Sequence, residues 1–292
     1  MARVEGRCFQ LPVEIWDDII GYIRDDYEAL ANCSLVCRAL SPTCRIHRFR
    51  EVKVNPRSVG RPQTASLLCD PTSTVLPYVH RLVLIEGLPE TDLDREERHS
   101  ITLDPAVGST AYWLDNVLPE MRIRDLTALK SLSVRAIQWE SLSSSSRNSL
   151  VELCPRLHSL EVITWEALDI PCAAVIELLC AATLLKHFAL RLPEQIFIPP
   201  PDPDKAPPQR ADAPPTLMSV ELDNTVGWYS QALLLHFSAL HITKASLRGV
   251  GLYDVKGALS FLVLSSASLQ YLSLELDDPW PIWGQLEGVL LS

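Results

Sequence analysis

Glycine is scarce in this chain, with eleven in 292 residues, and the few present are spread thinly. No GxxxxGKS/T or GxGxxG run occurs, so the loops that cradle phosphates are missing, and neither GxSxG nor HExxH is present. These absences argue against the common nucleotide-binding, serine-hydrolase and zinc-protease chemistries. Long apolar runs are missing too. No stretch reaches the roughly 18 uncharged apolar residues of a membrane helix, and Leu233–Leu240 is interrupted by His236. The N-terminus reaches Asp17 and Asp18 before any apolar segment of signal-peptide length. The eight cysteines, at 8, 33, 37, 44, 69, 154, 172 and 180, form no CxxC pair. Several sit in apolar helical patterns, where a reduced thiol acts as a small hydrophobe. The expectation is an intracellular chain, cytoplasmic and/or nuclear, without a membrane partner.

An excess of positive charge is also lacking. Net charge is −10 with a pI near 5.2, so neither nucleic acid nor an anionic membrane is an expected partner. The charge is uneven: residues 1–62 carry ten Arg/Lys against eight Asp/Glu, and the remainder sixteen against 28. Hydrophobic residues make up 47%, enough to fill a core, and the length accommodates about two domains.

The stretch 11–40, LPVEIWDDIIGYIRDDYEALANCSLVCRAL, is helical in pattern. Pro12 suits a first helical position, where a missing N–H costs nothing. Ile15, Ile19 and Ile23 form one stripe, widened by Trp16 and Ile20, so the first helix has more apolar face than so short an element can bury against one neighbour. Arg24-Asp25-Asp26 breaks the pattern, and a second helix is expected from Tyr27 to Arg38, with Leu30, Leu35 and Val36 apolar. Ser41 is expected to cap a third helix with Pro42 at its first position, and Val52 and Val54 alternate with Lys53 in a strand-like exit.

Beyond residue 78 the texture changes to a repeat. Five segments fit Leu-x-x-Φ-x-Φ with Φ apolar: Leu129/Leu132/Val134, Leu157/Leu160/Val162, Leu185/Phe188/Leu190, Leu217/Val220/Leu222 and Leu269/Leu272/Leu274. The first three begin 28 residues apart, and the last gap of 52 places a degenerate member at Ala245–Val250. Val79/Leu82/Leu84 is an earlier member. Helical patterns lie between them, at Ala111–Met121, Arg147–Cys154, Cys172–Leu185, Val226–Leu240 and Val255–Leu264. A strand and a helix every 25–30 residues is the period of a leucine-rich-repeat solenoid. A doubly wound α/β sheet also alternates strands and helices, but the recurring template sends the same positions inward in each coil. Residues 193–215, with nine prolines, read as an extended surface loop.

Candidate chemistry is sparse. Cys33, Cys37, Cys44 and His47 could be read as zinc ligands, but they fall where a helical core needs small apolar residues, so no metal is expected. The basic run Arg45, Arg48, Arg50, Lys53, Arg57 and Arg61 lacks the interleaved aromatics of a nucleic-acid site and reads as a solvated face. His80, His158 and His187 recur by repetition. The more informative set is the outward positions of the strands. Ser159, Glu161, His187, Arg191, Glu221, Asp223, Tyr271 and Glu275 are the candidate target-binding face, more acidic in the later repeats and so suited to a basic segment. The alternative is simply the polar side of a half-buried sheet.

Residues 11–40 resemble the F-box family. Leu11-Pro12 with Glu14-Ile15 is similar to its opening, Ile19, Ile20 and Ile23 match the first-helix apolar positions, and Leu35-Val36-Cys37-Arg38 matches the second-helix hallmark. Residues 48–54 are similar to the tail that follows this box in many fungal F-box proteins with degenerate leucine-rich repeats. Leu40 stands where the family often has tryptophan. The resemblance implies a Skp1-like adaptor as partner, met by a surface and its support made of Leu11, Pro12, Ile15, Trp16, Ile19, Ile20, Ile23, Leu35, Val36 and Leu40. It also implies a non-catalytic substrate receptor of an SCF-type ubiquitin ligase, with an unknown target protein and no cofactor. The alternatives are a repeat scaffold without a ligase role and, more remotely, an α/β enzyme. The expected fold is an α/β repeat solenoid. A three-helix F-box-like unit at 8–50 and a linker at 51–78 precede a leucine-rich-repeat-like horseshoe at 79–292 that carries the Pro-rich loop 193–215.

Overall fold

The computed structural model describes residues 12–36, 40–54, 63–86, 113–164, 170–192, 216–224, 229–230, 233, 241–251 and 254–276. Leu11, Cys37 and the Pro-rich loop 193–215 lie outside them, as does most of the helix expected at Val226–Leu240.

Three short helices come first: α1 (Val13–Tyr22), α2 (Tyr27–Val36) and α3 (Ser41–Phe49). Asp26 caps α2, its carboxylate accepting from the N–H groups of Glu28 and Ala29 at 3.1 and 2.9 Å, so the charged break is also a helix start. Ser41 lies inside α3 rather than capping it. Asp17 ties α1 to α3, accepting from the Thr43 hydroxyl at 2.6 Å. The interior of this unit is small: Ile20, Leu30, Leu40 and Cys44, with Trp16, Ile23 and Cys33 packed against them.

Eight strands follow in one sheet: β1 (Glu51–Val54), β2 (Arg81–Ile85), β3 (Ser131–Arg135), β4 (Ser159–Ile163), β5 (His187–Arg191), β6 (Ser219–Asp223), β7 (Lys244–Val250) and β8 (Tyr271–Leu276). Their order in the sheet is their order in the chain, and every neighbouring pair is parallel. An order that never reverses excludes the doubly wound alternative, which needs a switch point. The architecture is a repeating, solenoid-like α/β arrangement. The degenerate member expected at Ala245–Val250 is β7, and Val79/Leu82/Leu84 opens β2. Glu51–Val54, the strand-like exit placed in the linker on sequence, is a strand and opens the sheet, paired along its length with β2, and a further helix, α4 (Gln63–Cys69), follows it. Val52 and Val54 are buried in register with Leu82 and Leu84, and that burial recruits them.

Parallel neighbours need a crossover to return the chain. Among the described residues these connections carry α5 (Trp113–Val117), α6 (Ser144–Leu153), α7 (Cys172–Ala181) and α8 (Val255–Ser265), besides short 3₁₀ turns. Two inward columns, Leu82-Leu132-Leu160-Phe188-Val220-Ala245 and Leu84-Val134-Val162-Leu190-Leu222-Leu247, run across the sheet and are buried throughout. Leu68, Leu114, Leu150, Val175, Leu178 and Phe261 from the connecting helices complete the same core. Burying each such side chain is worth about 1.5–3 kcal/mol.

Polar groups stitch one coil to the next. Ser143 caps α6 while its own N–H donates to the Asp115 carboxylate of the preceding coil at 2.7 Å. The Arg156 guanidinium donates to the carbonyls of Ile123, Arg124 and Leu126 around a 3₁₀ turn of the preceding coil. At the far end Gly249, at φ +62°, carries an irregularity in β7, and a Cβ there would stand 2.0 Å from Asn224 Oδ1. Only glycine fits.

Candidate functional site

Two surfaces combine the residues that the sequence singles out. The first is the helical unit. Its apolar positions divide into two sets. Ile20 and Leu40 are buried, and Trp16 and Ile23 pack against them. They hold α1, α2 and α3 together and so belong to the support of the expected surface, with Trp16 and Ile23 still partly exposed. Leu40 is an interior residue of the unit. Pro12, Ile15 and Ile19 are exposed, and Leu35 and Val36 are 84% and 81% exposed. Tyr22, Tyr27 and Ile46 add further exposed apolar area. The four-residue interior explains the division: three short helices cannot enclose every apolar side chain they carry.

The second surface is the face of the sheet opposite the buried columns. The register places Ser159 and His187 in one outward column, Glu161 and Glu221 in the next, and Arg191 and Asp223 in a third; Tyr271 follows in the first column, while Glu275 is the exposed residue near the end of β8. Glu161, Arg191 and Glu221 come together in one charge network; no ion pair of Ser159, His187, Tyr271 or Glu275 is found among the described residues.

Glu161 is its hub. Its side chain is 15% exposed and lies 3.2 Å from Arg81, 3.5 Å from Arg135 and 3.6 Å from Arg191. Ser133 donates to it at 2.8 Å. Burial raises its pKa, but the Ser133 hydroxyl and then Arg135, Arg191 and Arg81 outweigh that penalty, leaving the carboxyl below its ordinary value. Arg191 also reaches Glu221, which meets Arg248 at 3.8 Å, and Arg81 reaches back to Glu51 at 3.6 Å. Asp223 is pushed up, by burial first and by Glu221 and Glu275 beside it, against the opposing effect of Arg248 and Arg191.

Of the acidic positions expected in the later strands, Glu221 is paired by arginines of the sheet. Arg81 and Arg248 were not among the candidate positions. Arg81 immediately precedes the Leu82 of an early repeat, and Arg248 lies inside the degenerate one, so applying the repeat register to those two coils as well finds both.

Among the described residues no three His, Cys, Asp or Glu side chains gather into a metal-binding group. Cys33 and Cys44 are neighbours in the helical unit; burial and then Cys33 raise the Cys44 pKa, which keeps the thiol protonated as a core residue. No helix among the described residues is long and apolar enough to cross a membrane. Comparison with known proteins returns no matching family model, no similar curated protein and no similar solved structure.

Proposed function

We propose that this chain is a substrate-receptor subunit of an SCF-type ubiquitin ligase, docking on a Skp1-like adaptor through the F-box-like unit and holding a target protein on a leucine-rich-repeat-like domain. The observation that carries this reading is the exposed apolar set Ile15, Ile19, Leu35 and Val36, in the segment that resembles an F-box. Several large apolar side chains left in water on one small unit are what an interaction surface offers. The role is non-catalytic. Such a receptor accelerates ubiquitin transfer by holding its target near the enzyme that carries the ubiquitin, which is a gain in proximity and orientation.

The test is co-expression with Skp1 followed by purification, comparing the wild-type chain with Ile15→Asp/Leu35→Asp. Both substituted side chains are exposed, so the variant should unfold at the wild-type temperature and lose Skp1. A wild-type chain that stays free of Skp1 would instead be an interaction scaffold with no ligase role.

A further inference from the structure

The outward face of the sheet spends its charge internally, but the strand entries do not. One residue before or at the start of each strand, a single carbonyl accepts two consecutive N–H groups from the next coil. Arg50 receives His80 and Arg81, His80 receives Lys130 and Ser131, Lys130 receives His158 and Ser159, and His158 receives Lys186 and His187, all at 2.8–3.0 Å. Lys186 in turn receives Met218 and Ser219. This ladder fixes Arg50, His80, Lys130, His158 and Lys186 in one row across five adjacent strand entries. At a strand spacing of about 4.8 Å the row is roughly 19 Å long, the span of about six residues of extended peptide.

Arg50, Lys130 and Lys186 are exposed and form no ion pair among the described residues. The charges acting on His80 are both positive: burial lowers its pKa first, then Arg50 and Lys130 lower it further. Among the described residues no carboxylate acts on His80. Its far end changes character. Met218 occupies the next position of the ladder and is exposed, as is Leu184, two residues before Lys186.

We infer that this basic row is a docking surface for an acidic protein segment, bound extended across the strand entries with apolar side chains at the end nearest Lys186. Charge complementarity selects the acidic stretch, and Leu184 and Met218 select the apolar end. A nucleic acid fits less well. The row contains no Phe, Tyr or Trp on which a base could stack, and its two histidines are only half-exposed. The inference is independent of adaptor docking.

The test uses the full chain and a fluorescein-labelled peptide of about twelve residues, alternating Asp and Glu and ending in two leucines. Binding is followed by anisotropy at low and at physiological salt. The wild-type chain should bind with an affinity that falls as salt rises, and K130E/K186E should bind about tenfold more weakly. Lys130→Gln/Lys186→Gln should show a smaller loss in the same direction, which separates lost attraction from a folding defect. The control R124E/K256E changes the same charge on exposed residues of the helix side and should bind as wild type. Absence of wild-type binding, an unchanged K130E/K186E, an equal loss in the control, or tighter binding of a single-stranded oligonucleotide of matching charge would overturn the inference.

Discussion

The two regions of this molecule solve the same problem with unequal means. The helical unit has four buried core residues and leaves Leu35 and Val36 almost fully in water. The sheet extends one core from β1 to β7, closes two columns of side chains completely, and turns charged groups outward that answer one another. A repeat gains interior by adding coils, because each coil covers the last. Three short helices have no such recourse, and their surplus apolar side chains stay in water. The region with the weaker core is therefore the one that carries the proposed adaptor surface.

The sharpest way to break this comparison is one substitution made in both regions. Leu160→Ala, in the middle of the sheet core, should cost about 3–5 kcal/mol in urea unfolding, because neighbours fixed on both sides cannot collapse into the gap. Leu30→Ala should instead loosen the helical unit alone. Hydrogen exchange would then show lost protection in α1 to α3 while β3 to β6 keep theirs, and a uniform loss would mean the two regions fold as one.

A smaller effect is expected at the bulge. Gly249→Ala introduces a Cβ into the Asn224 side chain at a positive φ, and should lower stability by about 1–3 kcal/mol, localised to β6 and β7. An alanine variant as stable as wild type would show that Asn224 moves freely, and the sheet would be less rigid than its register implies.

The charge network gives a pH-dependent contrast. The Glu161 carboxyl titrates below its ordinary 4.5 in the folded chain, so its contribution is fully present above that value and is lost as pH falls through the folded pKa. Glu161→Gln should flatten the stability profile below about pH 4.5 and leave Leu30-dependent behaviour of the helical unit unchanged. An acid limb as steep as wild type would place the acid sensitivity elsewhere. The smallest stability effect belongs to Leu35→Asp, within about 0.5 kcal/mol of wild type because the side chain is already solvated. A large loss of stability there would show that the surface packs within the chain.

Much of the sheet was legible in the residues. The template Leu-x-x-Φ-x-Φ located six of the strands and predicted the degenerate one at Ala245–Val250, because inward positions of a repeat must be apolar at a fixed interval. β1 was missed as a sheet member, since a four-residue alternation has the same pattern whether it ends a helical unit or begins a sheet. Its pairing with β2 skips 30 residues, and no local pattern encodes such a partner.

The candidate surfaces were legible only in part. Spacing marked Ile15, Ile19, Ile20, Leu35 and Val36 alike as apolar helix positions, and the F-box resemblance added Leu40, but a helical stripe wider than its neighbour can cover does not say which members lose their water. Packing of α2 on α3 buried Leu40, and left Leu35 and Val36 outside. In the same way, the sequence by itself determined that Glu161 and Arg191 face outward, since a strand alternates. That Glu161 would meet Arg81, 80 residues earlier, was decided by the tertiary structure. Alternation is a property of each strand, and an ion pair depends on which strands the register sets side by side.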